Sequence, residues 1–470
     1  MNSNQASKKS NIAHPIDLKW GVLIAVGTGT FMSALDTSVV NTVLPVVSRS
    51  FQTDIATVEW VVIIYLLLLS GLLPGFGRLG DLRGHKPVYI SGFILFVGSS
   101  LLCALSPSVY ALIGARGFQS LGAAMLSANS PAILTKTFPD TERGRALGLQ
   151  ATMTYLGLVA GPSLGGWLTD QFGWRSVFFI NLPVGLLAMA LSLWFIPKDK
   201  PKSTREPFDW QGAGFFMVGL TSLLLALNQG HDWGWTSPAI LFLFVISAVF
   251  LFYFIRLEGR TPSPMLDLTL FRSRSFSATT TAAILNYICV YSVIFLMPFY
   301  LINGRGLTPS QAGLFLTAQP IVMAIVAPIS GNLSDRIGSR IPGISGMGVL
   351  AGGLFMMSRL GSTSSALMII LALSLCGLGI GVFISPNNSA LLGSAPKNRQ
   401  GIAAGLLATA RNVGMVLGVG LSGAIFTTII SHNPASDPNS LFRAVQASFL
   451  AMILVALLGA GVTAIQKEHE

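Results

Sequence analysis

Residues 148 to 166 read GLQATMTYLGLVAGPSLGG, and residues 405 to 423 read GLLATARNVGMVLGVGLSG. Gly148, Ala151, Thr152, Gly157, Gly161 and Gly166 each find their own residue type again about 257 positions later, the mark of an internal duplication. A second echo keeps nearly the same offset: GRLGDLRG at 77 to 84 returns as GNLSDRIG at 331 to 338, about 254 residues on. Two copies of one unit therefore account for most of the chain.

The unit is a membrane unit. Of 470 residues, 52% are hydrophobic and only 10% charged, where a soluble protein carries roughly a quarter charged residues. Nearly charge-free runs of about 20 residues recur along the chain, each enough to cross a hydrocarbon core of roughly 30 Å as a helix. Their limits fall near 20 to 45, 57 to 77, 87 to 106, 109 to 133, 145 to 168, 175 to 196, 210 to 228, 238 to 256, 276 to 302, 310 to 332, 342 to 360, 365 to 388, 401 to 429 and 445 to 465, which predicts fourteen helices. The expected fold class is an all-α polytopic membrane protein.

The offset maps the first helix onto the ninth and the sixth onto the fourteenth. Two six-helix bundles, 20–196 and 276–465, are then expected to flank an inserted pair at 210–256, with linkers at 197–209 and 257–275 and tails at 1–19 and 466–470. An even-numbered insertion leaves both bundles in the same orientation, and parallel repeats of this kind hold a substrate near the bilayer midplane.

The net charge of +11 would suit a nucleic-acid partner, but no aromatic-basic motif, zinc spacing or basic helix accompanies it. The positive-inside rule explains it instead. With both termini in the cytoplasm, cytoplasmic segments collect about 22 of the 29 Lys and Arg, and the opposite face keeps about five, Arg49, Arg175, Arg305, Arg359 and Arg443. Cys103, Cys289 and Cys376 fall in apolar windows and read as small buried hydrophobes, so neither a disulfide framework nor a metal site is expected. The polar start lacks a cleavage site and reads as a retained cytoplasmic tail. No GxxxxGK[ST] phosphate loop and no nucleophile-base constellation occurs, so the expectation is neither an ATP-driven pump nor an enzyme, with no cofactor and no obligatory protein partner.

Gly157, Gly161 and Gly165 recur every fourth residue and line one helix face, leaving a groove for another helix backbone, a spacing that ordinary small-residue packing also uses. Pro162 removes one backbone bond and bends that helix. Val419 replaces it in the second copy, so the bend should belong to one half. In GRLGDLRGHK, Gly84 allows a tight turn, and Asp81 can cap the start of the third helix and pair with nearby cations.

Asp36, in LDTSVVNTVLP at 35 to 45, is the one acid of 18 placed well inside an expected span. A charge there is expensive, so the default reading is functional. It stands about nine residues, or roughly 14 Å, from the outer end of its helix, and Arg116 lies at similar depth in the fourth. Burial disfavours a charged carboxyl while a guanidinium favours it, so alternating hydration can move a proton on and off. A static salt bridge joining two helices is the alternative. Met32, Tyr65, Gln119, Tyr155, Asn286, Gln319 and Asn387 are expected to line a central cavity, as a set rather than singly. Arg411 replaces Thr154 of the first copy at mid-helix and needs a partner, with backbone carbonyls or Asn387 as candidates.

LDTSVVNTVLP, GRLGDLRGHK, RGFQSLGAA, GLVAGPSLGG and WRSVFFINLPVG, in that order on successive helices, resemble the major facilitator superfamily, and within it the fourteen-helix drug:proton antiporters. The second copy GNLSDRIGSR extends the resemblance over essentially the whole chain. It implies proton and substrate coupling at Asp36, proton relay at Arg116, an export motif at Gly157, Gly161, Pro162, Gly165 and Gly166, and a cytoplasmic gate at Gly77, Asp81, Arg83, Gly84, Asp335 and Arg336. Leu82 and His85 stand where basic residues are usual in that family, with Arg83 placed to supply a charge.

The expectation is a monomeric, proton-coupled exporter of hydrophobic, cationic or neutral compounds in a bacterial cytoplasmic membrane. Its partners are small-molecule substrates, protons and the bilayer. The same fold moving a lipid or an endogenous metabolite is the first alternative, and a non-transporting membrane sensor or scaffold the second.

Overall fold

A computed structural model of the protein describes residues 18–139, 142–198, 210–259, 268–396, 400–432 and 439–466. Most of both expected tails, most of the linker 197–209 and residues 260–267 of the linker 257–275 lie outside these residues. Among the described residues the chain is helical throughout, without strands.

The first half runs α1 (Leu18–Phe51), α2 (Ile55–Arg83), α3 (His85–Ala104), α4 (Val109–Thr137), α5 (Arg143–Phe172), α6 (Ser176–Phe179) and α7 (Asn181–Phe195). The insertion is α8 (Trp210–Trp233) and α9 (Pro238–Glu258). The second half runs α10 (Arg274–Pro298), α11 (Pro309–Leu316), α12 (Ala318–Ile337), α13 (Arg340–Met357), α14 (Ala366–Gly393), α15 (Gln400–His432) and α16 (Ser440–Ala464).

Two expected helices are broken, and proline explains both breaks. Pro183 has no N–H for the Phe179 carbonyl four residues back, and α6 ends at Phe179; Pro320 stands in the same relation to Leu316, where α11 ends. Among the described residues twelve helical segments are long and apolar enough to cross a membrane, where the sequence windows number fourteen. The difference is α4 and α5. The first carries Arg116, Gln119, Asn129 and Lys136, and the second opens with Arg143 and Arg145 and is rich in Gly and Thr.

Duplication in sequence is duplication in packing. α1 lies on α5, α2 and α3 on α4, and α1 on α7; in the second half α10 lies on α15, α12 and α13 on α14, and α10 on α16. Close approach is repeated too. A Cβ on Gly122 would meet the Gly92 carbonyl across α3 and α4, and one on Gly379 would meet the Gly346 carbonyl across α13 and α14. Small residues substitute here for the hydrophobic driving force that lipid removes.

The inserted α8 touches both halves, packing Met217 and Thr221 against Gly71 of α2 and donating from Asn228 Nδ2 to the Val416 carbonyl of α15 at 3.5 Å. α9 packs back on α8 through Phe215–Phe250 and Phe216–Phe254, with ring centroids 5.6 and 5.1 Å apart. Its other face turns Leu241, Phe242, Val245 and Phe252 outward, an apolar strip suited to lipid.

The halves meet directly at the end of the molecule remote from Leu18 and Gln466. There α5 and α11 cross backbone to backbone: a Cβ on Gly166 would strike the Pro309 carbonyl, and one on Gly313 the Pro162 carbonyl. Asp170 Oδ2 accepts from the Ser310 amide at 2.9 Å, the hydroxyls of Ser163 and Thr317 are 2.6 Å apart, and Arg49 Nη2 donates to the Ile302 carbonyl at 3.3 Å. The same seam closes one end of a central cavity.

Candidate functional site

Asp36 and Arg116 lie together and are sealed. Arg116 Nη1 donates to Asp36 Oδ2 at 2.7 Å, and each residue is 1% exposed. An ion pair taken out of water is tolerated only when its remaining hydrogen-bonding capacity is met. Here Asp36 Oδ1 accepts from Gln119 Nε2 at 3.1 Å and from Asn181 Nδ2 at 2.6 Å, while Arg116 also donates to Gln119 Oε1 at 2.6 Å and to the Val61 carbonyl at 3.2 Å. Ser100 on α3 accepts from Gln119 at 2.8 Å. Five helices converge on one carboxylate.

Asn181 and Ser100 were not singled out from the sequence. The signal existed in WRSVFFINLPVG, where Asn181 is a polar residue just after the proline-induced break. As the first residue of α7, it reaches Asp36 across the bundle.

The glycine face of α5 holds the helix that carries Asp36. Cβ atoms on Gly157, Gly161 and Gly165 would meet the Phe31 carbonyl, Ser38 and Val39 respectively, so the glycine face of α5 seats α1 over residues 31 to 39. Pro162 deprives the Leu158 carbonyl of its helical donor, and the Ser38 hydroxyl supplies one at 3.2 Å. Gly166 faces the other way, into the seam with α11.

A cavity of about 440 Å³ lies between the halves, walled by α1, α2, α4 and α5 on one side and by α10, α11, α12, α14 and α15 on the other. Ser130 and Pro131 late in α4, Gln150 early in α5 and Asn388 late in α14 carry it toward the end of the molecule that holds Leu18. Of the expected lining residues, Tyr65, Tyr155 and Gln319 form its wall. The other four do not. Met32 is buried against Gly185 of α7, Gln119 belongs to the sealed network, Asn286 donates to the Met347 sulfur at 3.4 Å, and Asn387 donates to the Thr279 carbonyl at 3.2 Å. Each lies on the helix face away from the cavity, and the neighbouring Asn388 lines it instead.

Asp36 and Arg116 are not in the cavity wall either. Tyr65 stands between, its ring lining the cavity and its face 4.1 Å from the Arg116 guanidinium carbon. A molecule in this cavity meets Tyr65, Thr37 and Ser33, not the carboxylate. Arg411 has neither Asn387 nor an acid beside it. It lines the cavity, bonds the Tyr287 hydroxyl, and leaves its Nε without a partner.

Between α2 and α3, Gly84 ends one helix and begins the next at φ 96°, and Gly338 repeats the left-handed turn at φ 81°. Asp81 does not cap α3, as the sequence suggested. The N-cap is Gly84 itself, and Asp81 Oδ1 lies 3.5 Å from His85 Nε2 one turn on, while His85 Nδ1 donates to Asn129 Oδ1 at 2.7 Å. His85 therefore ties the turn to α4. Gly77 is half-buried in α2, Arg83 and Arg336 are exposed, and the side chain of Asp335 lies outside the described residues. Among the described residues no three His, Cys, Asp or Glu side chains gather as metal ligands, and the three cysteines are free and buried.

A duplicated helical bundle around a central cavity is the form of a polytopic membrane carrier. The chain belongs to the Major Facilitator Superfamily, whose sequence model matches residues 26–419 and again 279–466. It is 34% identical over 416 residues to the riboflavin transporter RibZ of Clostridioides difficile (strain 630), covering 88% of this chain and 90% of that protein. It is 36% identical over 410 residues to the multidrug resistance protein Stp of Mycobacterium tuberculosis, covering 87% and 76%, and 32% identical over 410 residues to the tetracenomycin C resistance and export protein of Streptomyces glaucescens, again 87% and 76%. Family and relatives make it a multi-pass membrane transporter of small molecules, related to drug-efflux proteins.

Proposed function

We propose that the protein is a proton-coupled exporter of hydrophobic small molecules, working by alternating access around the central cavity. The observation that carries this reading is the sealed Asp36–Arg116 pair, separated from the cavity by one tyrosine ring. A protonatable group that shares a wall with the substrate space, yet is shielded from it, is suited to energetic coupling rather than to binding. Protonating Asp36 removes the charge that holds Arg116. Gln119 and Asn181 can still bond the neutral acid, so α1 and α4 are loosened without being abandoned.

In this reading both termini are cytoplasmic, in a bacterial cytoplasmic membrane, and the described state opens its cavity toward the cytoplasm with the α5–α11 seam as the closed outer gate. α4 and α5 cross as well, because Arg116 and Gln119 face the buried cluster, Gln150 and Thr154 face the cavity, and Lys136, Arg143 and Arg145 stand near the helix ends. The fourteen-helix count, the two-bundle division and the gate residues Asp81, Arg83 and Arg336 belong to the same proposal. A second reading, export of an endogenous metabolite, is favoured by the riboflavin transporter among the relatives.

The test is gradient-driven uptake of fluorescein and of rhodamine 6G into inside-out vesicles, for wild type and Asp36→Asn at matched expression. Loss of proton-driven uptake in a variant that still folds is expected. Wild-type uptake by the variant would leave Asp36 as a structural tie and sink the coupling scheme. Uptake of riboflavin in preference to either dye would select the metabolite reading.

A further inference from the structure

The two faces of the cavity are unlike in charge. Among the described residues, the side chains lining it include Ser33, Thr37, Gln150, Gln319, Asn388 and four tyrosines, and only one charged group, Arg411. No Asp or Glu is among them. An arginine in a membrane bundle is expensive unless it is paired or hydrated, and its neighbours here are Tyr155, Tyr287 and Tyr291, which carry no charge. Its Nε has no hydrogen-bond partner, and neither has Nδ2 of the adjacent Asn412, a buried side chain that also lines the cavity. Consecutive residues of α15 that line one cavity thus each carry a buried donor without an acceptor, which is costly to leave so.

From this we infer that Arg411, with Asn412 and Tyr287, forms an anion-recognition point in the cavity, and that the preferred substrates are aromatic or polycyclic organic anions bearing a carboxylate or phenolate. The inference rests on the exporter reading for the word substrate, but not for the binding site itself. A guanidinium offers a planar fork that matches a carboxylate and stacks on aromatic surfaces. The surrounding tyrosines supply flat, amphipathic walls for rings. A volume of about 440 Å³ falls in the range of drug-sized ligand sites. A cation finds no counter-charge among the described lining residues and meets Arg411 in a medium where like charges repel strongly.

Charge movement follows. If one proton enters for each substrate that leaves, export of a monoanion moves two charges per cycle, whereas export of a monocation moves none. The membrane potential as well as the pH gradient would then drive transport.

The experiment uses the full-length protein in lipid nanodiscs and two dyes with one ring system, anionic fluorescein and cationic rhodamine 6G, with dissociation constants from fluorescence anisotropy and no gradient present. Wild type should bind fluorescein at least about tenfold more tightly than rhodamine 6G, the ratio that one hydrogen bond to a charged group supplies. Arg411→Gln should remove that preference, and Arg411→Lys should keep part of it. Equal or tighter binding of rhodamine 6G by wild type would overturn the proposal, whatever the variants do. An Arg411→Gln that weakens both dyes alike would overturn it too, showing a structural arginine. Gradient-driven uptake of the same dyes separates the two layers: anion preference lost in Arg411→Gln, but with no proton-driven flux in wild type, would leave the anion site standing and the exporter reading fallen.

Discussion

Arg116 and Arg411 both sit inside long helices, one in each duplicated half, and the fold treats them in opposite ways. Arg116 is given a carboxylate, a glutamine, a backbone carbonyl and an aromatic face, and is closed off from the cavity. Arg411 is given tyrosines and left on the cavity wall with an unsatisfied nitrogen. The packing scheme was copied, while the polar groups diverged. At the two offsets of the duplication, about 254 residues for the early echo and about 257 for the later one, Asp36 corresponds to Val290 and Thr154 to Arg411. The first half therefore keeps its charge inside the bundle, and the second presents its charge to whatever enters between them.

That contrast can be broken by making one substitution in both halves. Arg116→Leu strands Asp36 in a buried site and should cost about 3 to 5 kcal/mol, lost as a large fall in melting temperature or as failure to accumulate. Arg411→Leu removes no ion-pair partner among the described residues and should cost about 1 kcal/mol or less. Equal losses in thermal melts of the two variants would erase the distinction.

The seam between the halves gives an intermediate effect. Gly166→Leu forces a side chain against the Pro309 carbonyl, and overpacking of this kind costs about 1 to 3 kcal/mol. The cost falls on the closed seam alone, so the balance should move toward the open one by about tenfold or more. Labelling of a cysteine placed at Thr317 by an impermeant maleimide from the side opposite the termini should rise accordingly. Unchanged labelling would mean that α5 and α11 do not separate.

The finest contrast is between two serines, Ser38 and Ser292, which stand 254 residues apart like the early echo. Ser38→Ala leaves the Leu158 carbonyl without a donor beside Pro162 and should cost about 1 to 3 kcal/mol. Ser292 donates to the Gly418 carbonyl at 3.1 Å, but the Ser422 hydroxyl already serves that oxygen at 2.6 Å. Ser292→Ala should therefore lower the melting temperature much less. A larger loss from Ser292→Ala would contradict the assignment of Ser38 as the substitute for the proline's missing bond.

The site was legible in proportion to how rare each residue is in its setting. Asp36 and Arg116 were visible because charges inside apolar windows are few, and matched depth on two helices was enough to pair them. Asn181 was harder to see, since a polar amide near a helix end is common and only the break before Pro183 brings it inward. Of the seven residues expected around the cavity, Tyr65, Tyr155 and Gln319 line it and four do not, for a geometric reason. Periodicity tells which residues share a face with Asp36, but not whether that face meets the cavity or a neighbouring helix. Gln119 and Asn387 have the composition of lining residues and the position of helix-to-helix bonds. Arg411 was visible as an oddity, and its surroundings were not.

By itself the sequence determined the helical class, the duplication, the glycine groove of α5 and the buried acid, because each follows from apolar run length, offset or spacing along one chain. Only the tertiary structure decided that the groove seats α1, that α8 bridges both halves, that Tyr65 screens Asp36 from the cavity and that Arg411 faces it unpaired. The physical reason is that the cost of a buried charge depends on what surrounds it in space, and here those neighbours come from helices 50 to more than 100 residues away along the chain.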